Sequence, residues 1–308
     1  MNSFLTKGRY AFMNQILGNS YYFPSQVAIG GYKIGNQLLL IDTGNDDSSV
    51  RKAYRDFGDI EVIGVLNTHS HADHCGGNAF IQNRFNAPVY APNIEQAFIE
   101  SPILEPTYLY GAYPLKTLQN KFLMAKPSKV THVITDETPI AFDFNGDTHL
   151  FKPILLKGHS PNQYGFKSPD DILYLGDALI GSEIVAKHPL LFTYDVASHL
   201  DSLEKLKTLS AKGFVIAHGG YVSEIETIIE SNHHSIMETQ AVILDIVSKG
   251  TCTFDTLHHA LCEKYTLTES VSQNLLNRSV IHAHVKRLVD IGALDVFTDL
   301  GKLMLQTV

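Results

Sequence analysis

The sequence predicts a mixed α/β chain that ends in a small helical unit. Three observations predict it. Short apolar runs of strand length alternate with stretches whose apolar residues recur at helical spacing. Four of those runs stop at a metal-type side chain, at His69, His159, Asp177 and His218, the last three beside glycine, so their ends are expected to meet along one edge of a sheet. After Gly250 the strands give way to two helical patterns and a closing hairpin.

The elements follow in order. Val27–Ala28–Ile29 leads into Gly30–Gly31, and Gln37 to Ile41 follows Gly35–Asn36, a hairpin signal between two apolar runs. The second run ends at Asp42–Thr43–Gly44. Ser48 to Phe57 reads as a helix through Val50, Ala53, Tyr54 and Phe57, with Asp46, Asp47 and Ser48 as candidate caps. Ile60 to Leu66 is a buried strand, Ala79 to Phe85 a short helix and Ala87 to Tyr90 a strand. From Val130 to Phe166 short strands return around the turn Asp143–Phe144–Asn145–Gly146–Asp147. Leu150 to Lys157 stops at Gly158–His159–Ser160–Pro161, and Ile172 to Leu175 at Gly176–Asp177–Ala178. Ser198 to Ser210 is helical, Phe214 to Ala217 stops at His218–Gly219–Gly220, and Ser223 to Ser248 is a long helix.

The chain has 308 residues, 44% of them hydrophobic, and a formal net charge of −8. That length permits one large domain, or one domain with a smaller partner. A diffuse acidic balance counts against life on nucleic acid or anionic membrane. Three scattered cysteines, Cys75, Cys252 and Cys262, imply no disulfide framework and point to the reducing cytoplasm. Met1 to Ser20 carries a basic pair but no long apolar core, so neither a signal peptide nor a spanning segment is expected.

The chemistry concentrates in Thr68–His69–Ser70–His71–Ala72–Asp73–His74–Cys75–Gly76–Gly77. Clustered histidines repel if charged, and waste hydrogen-bonding groups if neutral and buried. A bound cation removes both costs, and imidazole with carboxylate suits zinc and related first-row metals. A structural metal would favour a closed, sulfur-rich shell, which this chain does not offer. The cluster reads as a loop at the end of the buried strand.

Residues 93–130 are the least regular part, with Pro102, Pro106, Pro114, Pro127 and the aromatic run Tyr108 to Tyr113. They read either as a roof over a substrate pocket or as a packed surface excursion. Beyond Gly250, Thr253 to Tyr265 and Thr268 to Ile291 read as helices, and Ala293 to Thr307 as a hairpin, an order that resembles a winged-helix module. Its five basic residues (Lys264, Arg278, Lys286, Arg287, Lys302) face six acidic ones (Asp255, Glu263, Glu269, Asp290, Asp295, Asp299), without the basic stripe of a DNA reader. A structural or dimerising role, giving a homodimer, is preferred.

Over residues 20–225 the chain resembles the metallo-β-lactamase-fold hydrolase superfamily. The resemblance rests on His-x-His-x-Asp-His at His69, His71, Asp73 and His74, on Asp42 in Asp-Thr-Gly, and on His159, Asp177 and His218 in their glycine contexts. It implies an αββα sandwich over residues 1–222, a connecting helix over 223–250 and a winged-helix-like unit over 251–308. It implies two divalent metal ions, zinc first, with iron or manganese also compatible. His69, His71 and His159 would hold one ion, Asp73, His74 and His218 the other, with Asp177 bridging and Asp42 orienting the ligands. Aspartate at position 177 is similar to the glyoxalase II and ribonuclease Z branches. After His159–Ser160–Pro161 the family pattern continues with glycine, whereas this chain has Asn162–Gln163–Tyr164, so Asn162 or Tyr164 could face substrate. Cys75 reads as a small packing position.

The expected activity is hydrolysis by a hydroxide shared between the two ions, with Asp73 as the catalytic carboxylate, on a small acyl molecule such as a thioester, ester or lactone. The alternatives are a phosphodiesterase or ribonuclease using the same site, an iron-dependent redox member, and a regulator that keeps the metal fold without catalysis. His188 and Tyr221 are further candidate pocket residues. The other histidines read as surface or core, and no substrate-binding residue is assigned.

Overall fold

A computed structural model describes residues 12–55, 57–268 and 270–308. The first part of the Met1–Ser20 stretch therefore lies outside the described residues. The strands are β1 (Asn14–Leu17), β2 (Ser20–Phe23), β3 (Ile29–Ile34), β4 (Gln37–Ile41), β5 (Glu61–Leu66), β6 (Val89–Pro92), β7 (His132–Ile134), β8 (Ile140–Phe144), β9 (Asp147–Leu155), β10 (Tyr164–Lys167), β11 (Ile172–Tyr174), β12 (Gly213–Ile216), β13 (Gly220–Val222), β14 (Cys252–Thr253), β15 (Leu294–Asp299) and β16 (Lys302–Thr307). The helices are α1 (Asp47–Arg55), α2 (Ala72–Cys75), α3 (Asn78–Phe85), α4 (Glu95–Glu100), α5 (Leu104–Tyr110), α6 (Ser182–Lys187), α7 (Val196–Thr208), α8 (Glu226–Ser248), α9 (Phe254–Tyr265) and α10 (Val271–Asp290).

Two sheets form the sandwich, one in the order β1-β2-β3-β4-β5-β6-β7 and one in the order β13-β12-β11-β10-β9-β8. Side-chain alternation explains why both faces of each sheet are covered. In β4, Leu38 and Leu40 face the helical layer of α1 and α3, while Leu39 and Ile41 face the second sheet. In β11, Ile172 and Tyr174 point between the sheets and Leu173 points out to α7 and α8. The space between the sheets is filled by aromatics that meet edge to face, including Tyr32 on Phe144 and Phe151, and Phe142 on Phe151. A strand with two apolar faces needs a helix on the outside, which gives the αββα layering.

Parallel pairing positions the site. β4, β5 and β6 run parallel, as do β11 and β12, so their C-terminal ends emerge together at one edge. The loops after β4, β5, β11 and β12 carry Asp42, the histidine cluster, Asp177 and His218.

Three details differ from the sequence reading. The segment Ala72–Cys75 is one turn of helix rather than loop, a length too short to show periodicity. Residues 93–130 contain α4, α5 and a 3-10 turn at 116–118. Tyr164 faces the inter-sheet core and is 2% exposed, because β10 alternates and Tyr164 shares its inward face with Phe166.

The C-terminal part pairs β14, β16 and β15 into a small sheet beside α9 and α10. The long helix α8 belongs to both parts. Ile229 and Ile236 pack on α7 and the second sheet, while Ile243 and Val247 pack with Phe254, Leu257 and Leu261. Among the described residues no helix is long and apolar enough to cross a membrane.

Candidate metal centre

All seven side chains singled out as ligands meet at this edge. His69 Nε2 and His159 Nε2 lie 3.0 and 2.9 Å from His71 Nδ1, so three ring nitrogens converge on one spot. Three donor sets, His69–His71–His159, His69–His74–Asp177 and Asp73–His74–His218, each hold their ligand atoms within 4.8 Å of one another. Asp177 sits between them. Its Oδ1 is 3.4 Å from His74 Nε2, and its Oδ2 is 3.4 Å from His159 Nε2 and 3.3 Å from His218 Nε2. His218 Nε2 is also 3.4 Å from Asp73 Oδ2.

The chemistry of the donors fits divalent ions. His74 Nε2 and Asp177 Oδ1 are buried and face each other, yet neither has a hydrogen-bond partner. Orphaned buried polar atoms are costly, and a cation between nitrogen and oxygen donors satisfies both.

The other ring nitrogens are tied back, which fixes tautomer and orientation. His74 Nδ1 donates to Asp42 Oδ2 at 2.8 Å. Thr68 Oγ1 donates to the same Asp42 Oδ2 at 2.8 Å and lies 3.0 Å from His69 Nδ1, which donates to it. His159 Nδ1 donates to the Phe192 carbonyl at 3.1 Å. Asp42 therefore holds the His74 imidazole directly and the His69 imidazole through Thr68. The glycines beside the ligands have a steric reason. Gly158 (φ +123°) carries the carbonyl that accepts from Tyr194 N and Asp195 N, and a Cβ there would meet the His199 backbone at 2.2 Å. At Gly176 (φ +56°) a Cβ would lie 2.7 Å from Thr68 Oγ1.

Charge is divided across the centre. Burial holds the His69 imidazole well below its usual range, assisted by repulsion from His74, His71 and His159. Burial also lowers His159 well, against the pull of Asp177. His218 is pushed up to about 10, chiefly by Asp177. Burial disfavours charge on His74, but the carboxylates of Asp177, Asp42 and Asp73 outweigh it and raise the group well above its usual value. Burial would raise Asp73, yet His74 and His218 bring it down to about 2.

One residue of the centre has no signal in the sequence. Glu95, at the start of α4, is fully buried. Its Oε2 accepts from Ser70 N at 3.1 Å and from Ser70 Oγ, and its Oε1 accepts from Ser160 Oγ at 2.7 Å and Asn162 N at 2.9 Å. This carboxylate clamps the His69–His71 loop to the His159 loop. Asn162, one of the two residues that the sequence suggested could face substrate, donates its backbone N–H into that clamp. Glu95→Ala leaves several buried donors without an acceptor and is expected to cost about 3 kcal/mol. It should also weaken metal binding by about 10–100-fold. Thermal unfolding in chelator and a metal titration check the two effects separately.

The remaining expectations sort by position. Cys75 is buried and donates Sγ–H to the Ser70 and His71 carbonyls, consistent with packing. His188 is exposed, and Tyr221 stands over Gly213 beside Tyr22. Neither lines the cavity at the centre. That cavity, about 230 Å³, is walled by Glu105, Phe122 and Leu123 from residues 93–130, and by Leu276, Asn277 and Val280 of α10. Residues 93–130 therefore roof the centre together with the C-terminal part, and Asn120 Nδ2 donates to Ser272 Oγ at 3.3 Å across the seam.

The model of the metallo-beta-lactamase superfamily matches residues 24–218, and the chain belongs to that superfamily. It is by class a metal-dependent hydrolase. It is 28% identical over 193 residues to the probable metallo-hydrolase YybB of Bacillus subtilis (strain 168), covering 61% of this chain and 78% of that protein. It is 40% identical over 55 residues to a hydroxyacylglutathione hydrolase of Thiobacillus denitrificans, covering 18% of this chain and 21% of that protein. A beta-lactamase domain protein from Burkholderia ambifaria superposes with a TM-score of 0.70 at 16% identity, covering 96% of this chain and 93% of the other.

Proposed function

We propose that the chain is a dinuclear metal-dependent hydrolase of a small acyl substrate, a thioester, ester or lactone. The observation that carries this reading is Asp177, a buried carboxylate set between His74, His159 and His218 with one oxygen unpartnered. His69, His71 and His159 would hold one ion, and Asp73, His74 and His218 the second. Zinc suits the nitrogen and oxygen donors. When bound, such ions supply Lewis acidity and a nucleophile drawn from water near neutral pH.

The chain's own groups do the rest. Asp73 is ionised at neutral pH and opens onto the cavity, so its carboxylate can orient the attacking water and take up its proton. The water oxygen joins the acyl carbon, the bond to sulfur or oxygen breaks, and the proton passes to the leaving group. Asp42, Thr68 and the Phe192 carbonyl keep the imidazoles from turning. The roof made by residues 93–130 and α10 limits substrate size and excludes bulk water. The short similarity to hydroxyacylglutathione hydrolases supports the acyl class.

The test is metal analysis of purified protein, followed by assay of thioesters, esters, lactones, β-lactams, phosphodiesters and RNA before and after chelation. The expected result is acyl hydrolysis that chelation abolishes and zinc restores. Turnover confined to phosphodiesters or RNA, or none at full metal loading, would refute the proposal.

A further inference from the structure

The centre opens into two chambers. The first, about 230 Å³, presents Leu123, Leu190, Leu276 and Val280, together with Gln273 and Asn277. The side-chain amides of the last two bond to each other, Gln273 Nε2 to Asn277 Oδ1 at 2.9 Å. The second, about 210 Å³, presents Ile94, Phe98, Tyr108, Phe192 and Tyr194. His71, His159, Glu105 and Phe192 line both, so the chambers adjoin at these four side chains. The Phe192 ring, common to both linings, lies 5.3 Å from the His71 ring and 5.6 Å from that of His159.

Charge is as informative as shape. Neither chamber is lined by a lysine or arginine among the described residues. The one carboxyl away from the ligand cluster, Glu105, is buried and accepts from Tyr108 Oη at 3.2 Å. An anionic group at the end of either chamber would lose its hydration without gaining a counter-charge.

Resting on the hydrolase reading, we propose that the substrate carries an uncharged apolar group on each side of the scissile bond. An aliphatic chain lies against α10, and an aromatic or cyclic group lies against Phe98 and Tyr108. This assigns specificity to α10, a helix of the C-terminal part, and to residues 93–130. It sets the substrate apart from glutathione thioesters, whose tripeptide carries two carboxylates, and from polyanionic nucleic acid.

The test compares phenyl hexanoate with the ester of equal chain length that ends in a carboxylate, on zinc-loaded protein. The neutral ester is expected to have a kcat/KM about 100-fold higher. Calorimetry with the non-hydrolysable ketone hexanophenone and its ω-carboxylate reads the same preference without turnover. Leu276→Arg should move the ratio at least about tenfold toward the carboxylate, with metal content unchanged. Gln273→Arg repeats that test on a polar position if the first variant fails to fold. Phe98→Ala should raise KM for phenyl esters over ethyl esters and leave the chain-end preference alone. Equal or better binding or turnover of the carboxylates, no binding of either ketone, or a ratio unmoved by both arginine variants overturns the assignment. Hexanophenone binding by fully loaded protein that hydrolyses no ester, thioester or lactone would keep the two apolar subsites and sink the hydrolase reading instead.

Discussion

Asp177→Ala is expected to lose stable metal at both sites and to lower kcat/KM by at least about 10³-fold. Among the described residues the carboxylate lies within 3.4 Å of imidazole nitrogens from both halves of the centre, His159 on one side and His74 and His218 on the other. Charge stabilisation by bound ions is worth several kcal/mol, and each 1.36 kcal/mol is tenfold in rate, so the estimate is a lower bound. Metal stoichiometry of the purified variant, read beside its far-UV circular dichroism, separates loss of metal from loss of fold. The metal-free variant offers an independent reading. His218 is held up to about 10 chiefly by Asp177, so without that carboxylate its imidazole should titrate lower, moving toward 6.5. Below 6.5 the raised pKa stabilises the folded metal-free protein in full, and that stabilisation fades as pH rises through about 10. The variant should lose most of this pH-dependent increment, the hydrogen bond to Asp73 keeping the remainder. A variant that keeps two ions and wild-type turnover would remove Asp177 from the centre.

The centre was legible in the sequence to the extent that its residues sit where strands stop. A strand end forces a turn, glycine permits it, and a histidine or aspartate at that point must face the sheet edge. His159, Asp177 and His218 each follow that rule, His69 sits at a strand end without the glycine, and parallel pairing of β4 with β5 and of β11 with β12 brings the strand ends together. Glu95 obeys no such rule. It opens an ordinary short helix, and its partners Ser70, Ser160 and Asn162 lie far away in sequence, so only the packed structure reveals it as a clamp. Tyr164 shows the opposite error. Its departure from the family pattern drew attention to the turn, while the simple alternation Tyr164–Gly165–Phe166 already placed its ring between the sheets. The tail was legible as helices and a hairpin. What its charge balance could not show is which surface α10 covers. Leu276, Asn277 and Val280 face the cavity, so part of the helix that a winged-helix module would offer to DNA is turned toward the metal-type ligands.

Asp42→Ala is expected to destabilise the fold by about 3–5 kcal/mol even without metal. Asp42 is buried at a left-handed backbone position, φ +60°. Its carboxylate accepts from Thr68 N, Thr68 Oγ1 and His74 Nδ1, each at 2.8 Å. Alanine leaves those donors buried without an acceptor, and it also tolerates the left-handed conformation worse than aspartate does. At about 2–4 °C per kcal/mol for a domain of this size, the melting temperature should fall by roughly 6–20 °C. Asp42→Asn separates the contributions. Asparagine fits the same backbone and keeps one acceptor oxygen, so the fold should recover in large part. Its amide nitrogen, a donor, accepts from neither Thr68 Oγ1 nor His74 Nδ1, so the orientation of His69 and His74 should stay impaired. Metal affinity in the asparagine variant should therefore remain about 10–100-fold below wild type while its melting temperature approaches normal. Equal recovery of both would mean that Asp42 only braces the backbone turn and leaves the imidazoles free.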